Sequence, residues 1–343
     1  MLIWMRAEPR DNEARAPLMP KGAQKLIDAG WRLVVEDSPA RCIPTEDYRD
    51  VGCEIATPGA WINAPDEAII LGLKELPDDS TPLTHDHIMF GHAYKGQADG
   101  RALLDRFKRG GGTLLDLEYL VNGHGKRVAA FGYWAGYAGA ALSVMAWGAQ
   151  QDGRTLGRVE AFASAKDMEK TVKAAFNGKP TALIIGAKGR VGSGAADLCK
   201  AVGIQTTLWD MKETAHGGPF PEVLDHDIFL NCILAQPDVP VFVEADAGAA
   251  DRTLSVIGDI ACDPTSDFNP VKVYDQTTTW AEPTVRAHSR PPLDVMAIDN
   301  LPSLMPVEST EDFAEQLLPY LLDLKADKKG VWGRARTTFK DNV

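Results

Sequence analysis

The chain has 343 residues, 45% of them hydrophobic and 24% charged, with a formal net charge of −12 at pH 7. That length divides naturally into two domains of about 150 residues each, and the composition is that of a globular protein, which excludes general disorder. The acidic balance argues against nucleic acid, whose binding rests on neutralising phosphates; an anionic ligand would need local Arg and Lys to hold it against the overall field.

The first run, LIWMRAE, is strand-like, and charges at Arg6, Glu8 and Arg10 arrive too early for a signal peptide. PKGAQKLIDAG reads as a helix with Pro20 at its start and Gly30 just past its end. WRLVVED is a strand, and TEDYRDVG a helix started by Thr45. AIILGL, HIMFGH and TLLDLEYL continue the strands, with the helix QADGRALLDRFKRGG between the last two. Such alternation predicts a parallel sheet with helices on both faces.

Residues 128–151 carry no formal charge and are long enough to span a bilayer. Gly132, Gly136, Gly139 and many alanines make the stretch only mildly apolar, and cations flank one side alone, at Lys126 and Arg127. It is read as a buried, closely packed helix. A charged, partly helical stretch to Lys179 leads into a second alternating series: the strand TALII, a glycine turn, the helix VGSGAADLCKAVG, and the strand TTLWD. DIFLNCIL, TLSVIGDIA and DVMAID supply further strands, and STEDFAEQLLPYLLDLKAD closes the chain as a helix capped by Ser309 or Thr310. The five cysteines form no CxxC pair and are odd in number, which fits core thiols in a reducing compartment, the cytoplasm.

Two features carry chemistry. The first is the turn holding Gly186, Gly189, Gly192 and Gly194 between a strand and a helix, where backbone amides and the helix dipole can hold a pyrophosphate. Asp210 ends the next strand, where a carboxylate can bind the ribose hydroxyls and repel a 2′-phosphate, so NAD is expected over NADP. Arg190 within the turn keeps the second cofactor open, since a guanidinium there could contact a phosphate. The second feature is Lys74 and His92, two titratable bases in adjacent strand-like segments; alone, each reads as a solvated charge or a structural imidazole. His85 and His87 with His92 also invite a metal reading, against which stands the lack of a fourth ligand.

The strings MRAEPRDNEAR, GLKELP, FGHAYKGQ, DLEYL, GKRVAAFGYWAGYAGAAL, IIGAKGRVGSGA, WDMKET, GGPF and AIDNLPSLMP occur in this order. Together they resemble saccharopine dehydrogenase of the NAD-dependent, L-lysine-forming kind over nearly the whole chain. The alanine dehydrogenase and transhydrogenase group is a more distant likeness. The resemblance implies oxidation of the secondary amine of saccharopine with NAD, then hydrolysis of the imine to lysine and 2-oxoglutarate. It implies Lys74 as the amine base and His92 as the acid–base for hydrolysis. It implies Arg15 and Arg127 as holders of substrate carboxylates, with Gln97, Phe131 and Asp263 lining the substrate. For the cofactor it implies Lys126, Gly189, Arg190, Asp210, Thr214, Ile260, Asp299 and Leu301. Asn300 and Val191 depart from the relatives' His and Cys, and Ala261, Cys262 and Asp263 replace a Ser-Ala-Asp string.

The expected architecture is α/β, two Rossmann-like doubly wound domains with an interdomain cleft. Residues 1–127 with 303–343 would form the amino-acid domain and residues 128–302 the NAD domain. Small molecules are the expected partners, with monomer and dimer both open. A related amino-acid or opine-type dehydrogenase, and a non-catalytic NAD-binding protein, stand as the rival readings.

Overall fold

The computed structural model describes every residue except 11, 78 and 95–97. Its residues group into two compact units, one of residues 1–130 with 306–343 and one of residues 131–305.

The first unit runs β1 (Leu2–Met5), α1 (Pro20–Asp28), β2 (Arg32–Glu36), α2 (Thr45–Asp50), β3 (Glu54–Ala56), β4 (Ala68–Leu71), β5 (Asp86–Met89), α3 (Ala98–Gly110) and β6 (Thr113–Asp116). The second runs α4 (Gly132–Gln151), α5 (Ala165–Ala175), β7 (Thr181–Ile185), α6 (Arg190–Val202), β8 (Gln205–Trp209), α7 (Met211–Thr214), α8 (Pro221–Leu224), β9 (Ile228–Asn231), β10 (Val256–Asp259), β11 (Val285–Ser289) and β12 (Pro292–Met296). The chain returns to the first unit with α9 (Pro306–Asp323) and α10 (Val331–Asn342).

The first sheet has the order β3-β2-β1-β4-β5-β6 and every pair in it is parallel. The second has the order β11-β12-β10-β9-β7-β8, parallel except for the β11–β12 pair. Both sheets wind outward in two directions from their first strand, so each has a switch point, between β1 and β4 and between β7 and β9. Strands such as β4 and β9 are buried at every position, because helices cover both faces; this is why they read as continuous apolar runs rather than alternating ones. The expectation of two doubly wound α/β sheets holds.

Three local expectations change. The helix expected from Ser309 begins at Pro306, so Ser309 and Thr310 lie inside it, fully buried, and Thr310 Oγ1 accepts from Ala16 N (3.1 Å) instead of capping. A further helix, α10, comes after it, anchored by the buried Trp332, whose indole donates to Tyr320 O (2.7 Å). The short strands β3 and β11 have no counterpart among the expected elements.

The uncharged stretch folds as the helix α4, buried over Gly136–Val144 and again over Ala146–Ala149, and no helix among the described residues is long and apolar enough to cross a membrane. Its glycines set how closely α6 approaches. A Cβ on Gly136 would overlap the Val191 carbonyl oxygen, and one on Gly194 would overlap that of Tyr133. Gly194→Ala is therefore expected to push the two helices apart and destabilise the protein by about 1–3 kcal/mol. A lower urea midpoint with an unchanged slope would register it.

Candidate active site and dinucleotide turn

In the first unit, parallel pairing sends the ends of β4, β5 and β6 to the same edge of the sheet. The ladder continues a little beyond the strands, with Gly72 N donating to Ile88 O (2.9 Å) and Phe90 N to Leu73 O (2.9 Å). Lys74 and His92 come directly after, each three residues past its strand, and Glu118 lies just past β6. His92 adopts a left-handed backbone (φ 47°), uncommon for a residue with a side chain and a mark of a locally constrained position.

His92 Nδ1 lies 3.0 Å from Glu118 Oε2, while the imidazole stays half exposed (52%). The hydrogen bond to Glu118 lifts the imidazole above its ordinary pKa against the opposing effect of burial; Asp116 adds to the rise and the Lys74 charge works against it. Asp116 ends β6 with 1% exposure, and burial pushes its carboxyl up to about 6. Lys74 also reaches Glu13 electrostatically. Burial pushes the Glu13 carboxyl up, but Arg15 first and Lys74 after it bring it below its usual range. Lys74 thus acts on both His92 and Glu13, which makes these three one electrostatic site.

Arg15 is buried (3%) and gripped by Glu13 through Nε–Oε1 (2.7 Å) and Nη2–Oε2 (2.6 Å), a fork that fixes the guanidinium plane. Lys126 and Arg127 are exposed in a tight turn, where Asn122 Oδ1 accepts from His124 N and Lys126 N, and Val121 bridges to Arg127. Gln97 lies outside the described residues. His85 and His87 are buried core residues: His85 Nε2 is 3.1 Å from Ala64 O, and His87 packs edge-on between Trp61 and Phe107. Burial holds His87 well below its ordinary pKa. No metal-ligating group of three or more side chains occurs among the described residues.

The expected cofactor residues other than Lys126, which belongs to the first unit, follow the carboxyl ends of strands in the second unit. Gly186 ends β7 with φ 89°, which only glycine takes easily, and a Cβ on Gly192 would overlap the Gly186 carbonyl. Gly189 is the N-cap of α6, exposed and without a side chain, and Arg190 opens the helix. Asp210 lies just past β8, its carboxylate accepting from Lys188 N (3.0 Å) and Met211 N (2.8 Å), with Thr214 Oγ1 donating back to Asp210 O (3.3 Å). Those backbone donors, Met211 foremost, hold its pKa below the usual carboxylate range. Ile260 comes after β10 and Leu301 after β12; both are buried against Gly139 of α4, while Asp299 is exposed. Phe131 is the N-cap of α4, and Asp263 lies in the turn after β10. A side-chain-free helix N-terminus at a switch point, with an ionised carboxylate beside it, fits a dinucleotide.

Lys74 and His92 stand out in the sequence, whereas Glu13 and Asp116 do not. Asp116 is the first residue of the DLEYL string, at the end of an apolar strand, and that position is its signal.

The family model for the alanine dehydrogenase/PNT N-terminal domain matches residues 4–138. The saccharopine dehydrogenase [NAD(+), L-lysine-forming] of Yarrowia lipolytica is 45% identical, covering 99% of this chain and 97% of the relative. The enzyme of that name from Emericella nidulans is also 45% identical, over 99% and 97%, and that of Schizosaccharomyces pombe 40%, over 99% and 98%. Among solved structures, an L-alanine dehydrogenase superposes with a TM-score of 0.70 at 17% identity, over 100% of this chain and 94% of that one. A transhydrogenase from Sinorhizobium meliloti gives 0.62 at 16%, over 94% and 92%. These two likenesses carry the fold.

Glu118→Gln removes the strongest support of the His92 proton. The imidazole midpoint, followed by NMR of its ring protons, is expected to fall toward the ordinary value of about 6.5.

Proposed function

The chain belongs to the NAD-dependent, L-lysine-forming saccharopine dehydrogenases, and from that premise we propose how its residues divide the work. It is an NAD-dependent oxidoreductase acting on a CH–NH bond, and its partners are small molecules. In our reading the first unit is the amino-acid domain and the second the NAD domain. The reaction converts saccharopine to L-lysine and 2-oxoglutarate, reversibly.

The turn from Gly186 to Arg190 and Asp210, with Lys126, Thr214, Ile260, Asp299 and Leu301, would hold NAD, which would supply the hydride acceptor for the substrate carbon. Neutral Lys74 takes the proton of the secondary amine, so that the nitrogen lone pair can form the C=N bond as the hydride leaves. His92 takes a proton from the water that attacks the imine carbon, and returns one to the departing amine nitrogen. Each such group contributes about 10²–10⁴ in rate when its pKa lies near the working pH. Arg15 and Arg127 hold substrate carboxylates, and Gln97, Phe131 and Asp263 line the remainder. The observation that carries this reading is that parallel β4 and β5 end together at one edge of the first sheet, each followed three residues later by Lys74 or His92. The five cysteines, all free thiols, support a cytoplasmic setting.

NADH oxidation with lysine and 2-oxoglutarate, against alanine, ornithine and pyruvate as controls, tests the substrate; turnover of a control pair alone would assign the chain to a different amine. NADPH should be the poorer donor, and Asp210→Ser should narrow the preference, because the carboxylate that repels a 2′-phosphate is gone. Lys74→Met should lower kcat by about 10²–10⁴ while NADH affinity stays within a few-fold.

A further inference from the structure

Lys74 lies in a loop past its strand, yet a lysine that must meet one amine nitrogen needs a fixed origin. The loop backbone is held from both sides by a buried ion pair in the segment after β1. The Glu8 carboxylate accepts from Leu73 N through Oε1 (2.7 Å) and from Lys74 N through Oε2 (2.9 Å). Arg6 donates through Nη2 to Lys74 O, and its Nη1 lies 3.3 Å from Glu8 Oε2. Both side chains are withdrawn from water, at 1% and 5% exposure. Gly72 makes room for this, since a Cβ there would overlap Arg6 Nε.

The pair is itself anchored. Ala7, between its two members, donates its N–H to Glu36 Oε2 (2.9 Å). Glu36 is fully buried and also accepts from Trp4 Nε1 (3.0 Å), Gly59 N (2.9 Å) and Trp61 N (2.7 Å). A carboxylate satisfied by four donors in the interior does not move without stranding several of them.

We propose that Arg6 and Glu8 are positioning residues for catalysis, a clamp that grips the Lys74 backbone at its N–H and its carbonyl and so aims the amine-bearing side chain. The inference rests on Lys74 being the amine base. Two consecutive N–H groups converge on Glu8, so a neutral isostere fails: the carboxamide oxygen of Gln can accept from one, and its NH₂ then faces the other, donor against donor. A displacement of about 1 Å at a catalytic group can cost 10²-fold in rate without loss of binding.

The test compares wild type, Glu8→Gln, Lys74→Met and the double variant in NADH oxidation with lysine and 2-oxoglutarate, with NADH affinity measured by fluorescence. Glu8→Gln should lower kcat by about 10–100-fold and leave NADH affinity within twofold. In the Lys74→Met background the same change should alter the residual kcat by less than about twofold, since there is no base left to aim. An unchanged kcat in Glu8→Gln beside a crippled Lys74→Met would overturn the clamp alone. An equal loss in both backgrounds would also overturn it, because Glu8 would then act on the fold at large. A Lys74→Met enzyme with the wild-type rate would remove the amine base itself, and the clamp with it. Should Glu8→Gln fail to melt in one cooperative transition, Gly72→Ala carries the same comparison, since it displaces the Arg6 guanidinium while keeping every charge.

Discussion

Parallel pairing of β1, β4 and β5 is the constraint on which the proposed active site depends. Met5 sits beside Leu71, and Leu71 beside Ile88, so three strands end together at one edge of the sheet. The residues just past each strand end are thereby fixed in place: the Arg6–Glu8 segment, Lys74 and His92. β1 and β4 are the strands at which the winding direction reverses, the place where open α/β sheets characteristically bind their ligands. A slip of one residue in β5 would turn its side chains to the opposite face, so the buried apolar register of the strands also specifies where His92 emerges. The second unit repeats the plan with β7 and β9, and its glycine turn follows β7 where the Arg6–Glu8 segment follows β1 in the first.

Charge at this edge is arranged as a chain of opposites. Glu13 grips Arg15 and feels Lys74, Lys74 opposes protonation of His92, and His92 is held by Glu118 with Asp116 behind it. Buried ions are tolerable only when paired, and removing one member strands the other. The pairing has a consequence for acid–base work. The Lys74 charge works against the proton on His92 and favours ionisation of Glu13, so the three groups do not act independently. For the proposed roles, in which the two groups hand protons over at different steps, such coupling serves better than independent action.

Parts of the fold with strong local signals are legible in the sequence. Continuous apolar runs mark the buried strands, Pro20 and Gly30 bracket the first helix, and the glycines after TALII mark the dinucleotide turn. Tertiary context sets the rest. Thr310 looks like a helix cap, but residues before it continue the helix, and its hydroxyl serves a backbone N–H from distant Ala16. VRAHS, with its mixed polarity and an antiparallel partner, lacks the apolar signature of the other strands. Arg6 and Glu8 read as the charged start of the chain, since nothing local distinguishes a solvated RAE from one buried against a strand end. Glu36 is likewise only the last charge of a strand, although four donors converge on it.

The uncharged stretch that raises a membrane question has a different physical explanation in the fold. A helix that is apolar all round must be covered all round, and α4 is covered by α5, α6, β9, β10 and the turn at Leu301–Leu304. Its first turns lie against the start of α6: a Cβ on Gly132 would touch Arg190 Cβ at 3.3 Å, and Gly136 lies under Val191. Further along, Gly139 receives Ile260 and Leu301, which lie past the ends of β10 and β12. One face of α4 therefore supports the glycine turn and two other residues proposed to face the cofactor. Small residues are required at these points because backbone at Gly136, and side chains at Gly132 and Gly139, come within reach of where a Cβ would lie, and the absence of charge is explained because most of the helix from Gly136 to Ala149 is buried. The same composition that mimics a membrane span is what a dinucleotide site needs beneath it, a bed close enough to hold the amides of α6 in one orientation.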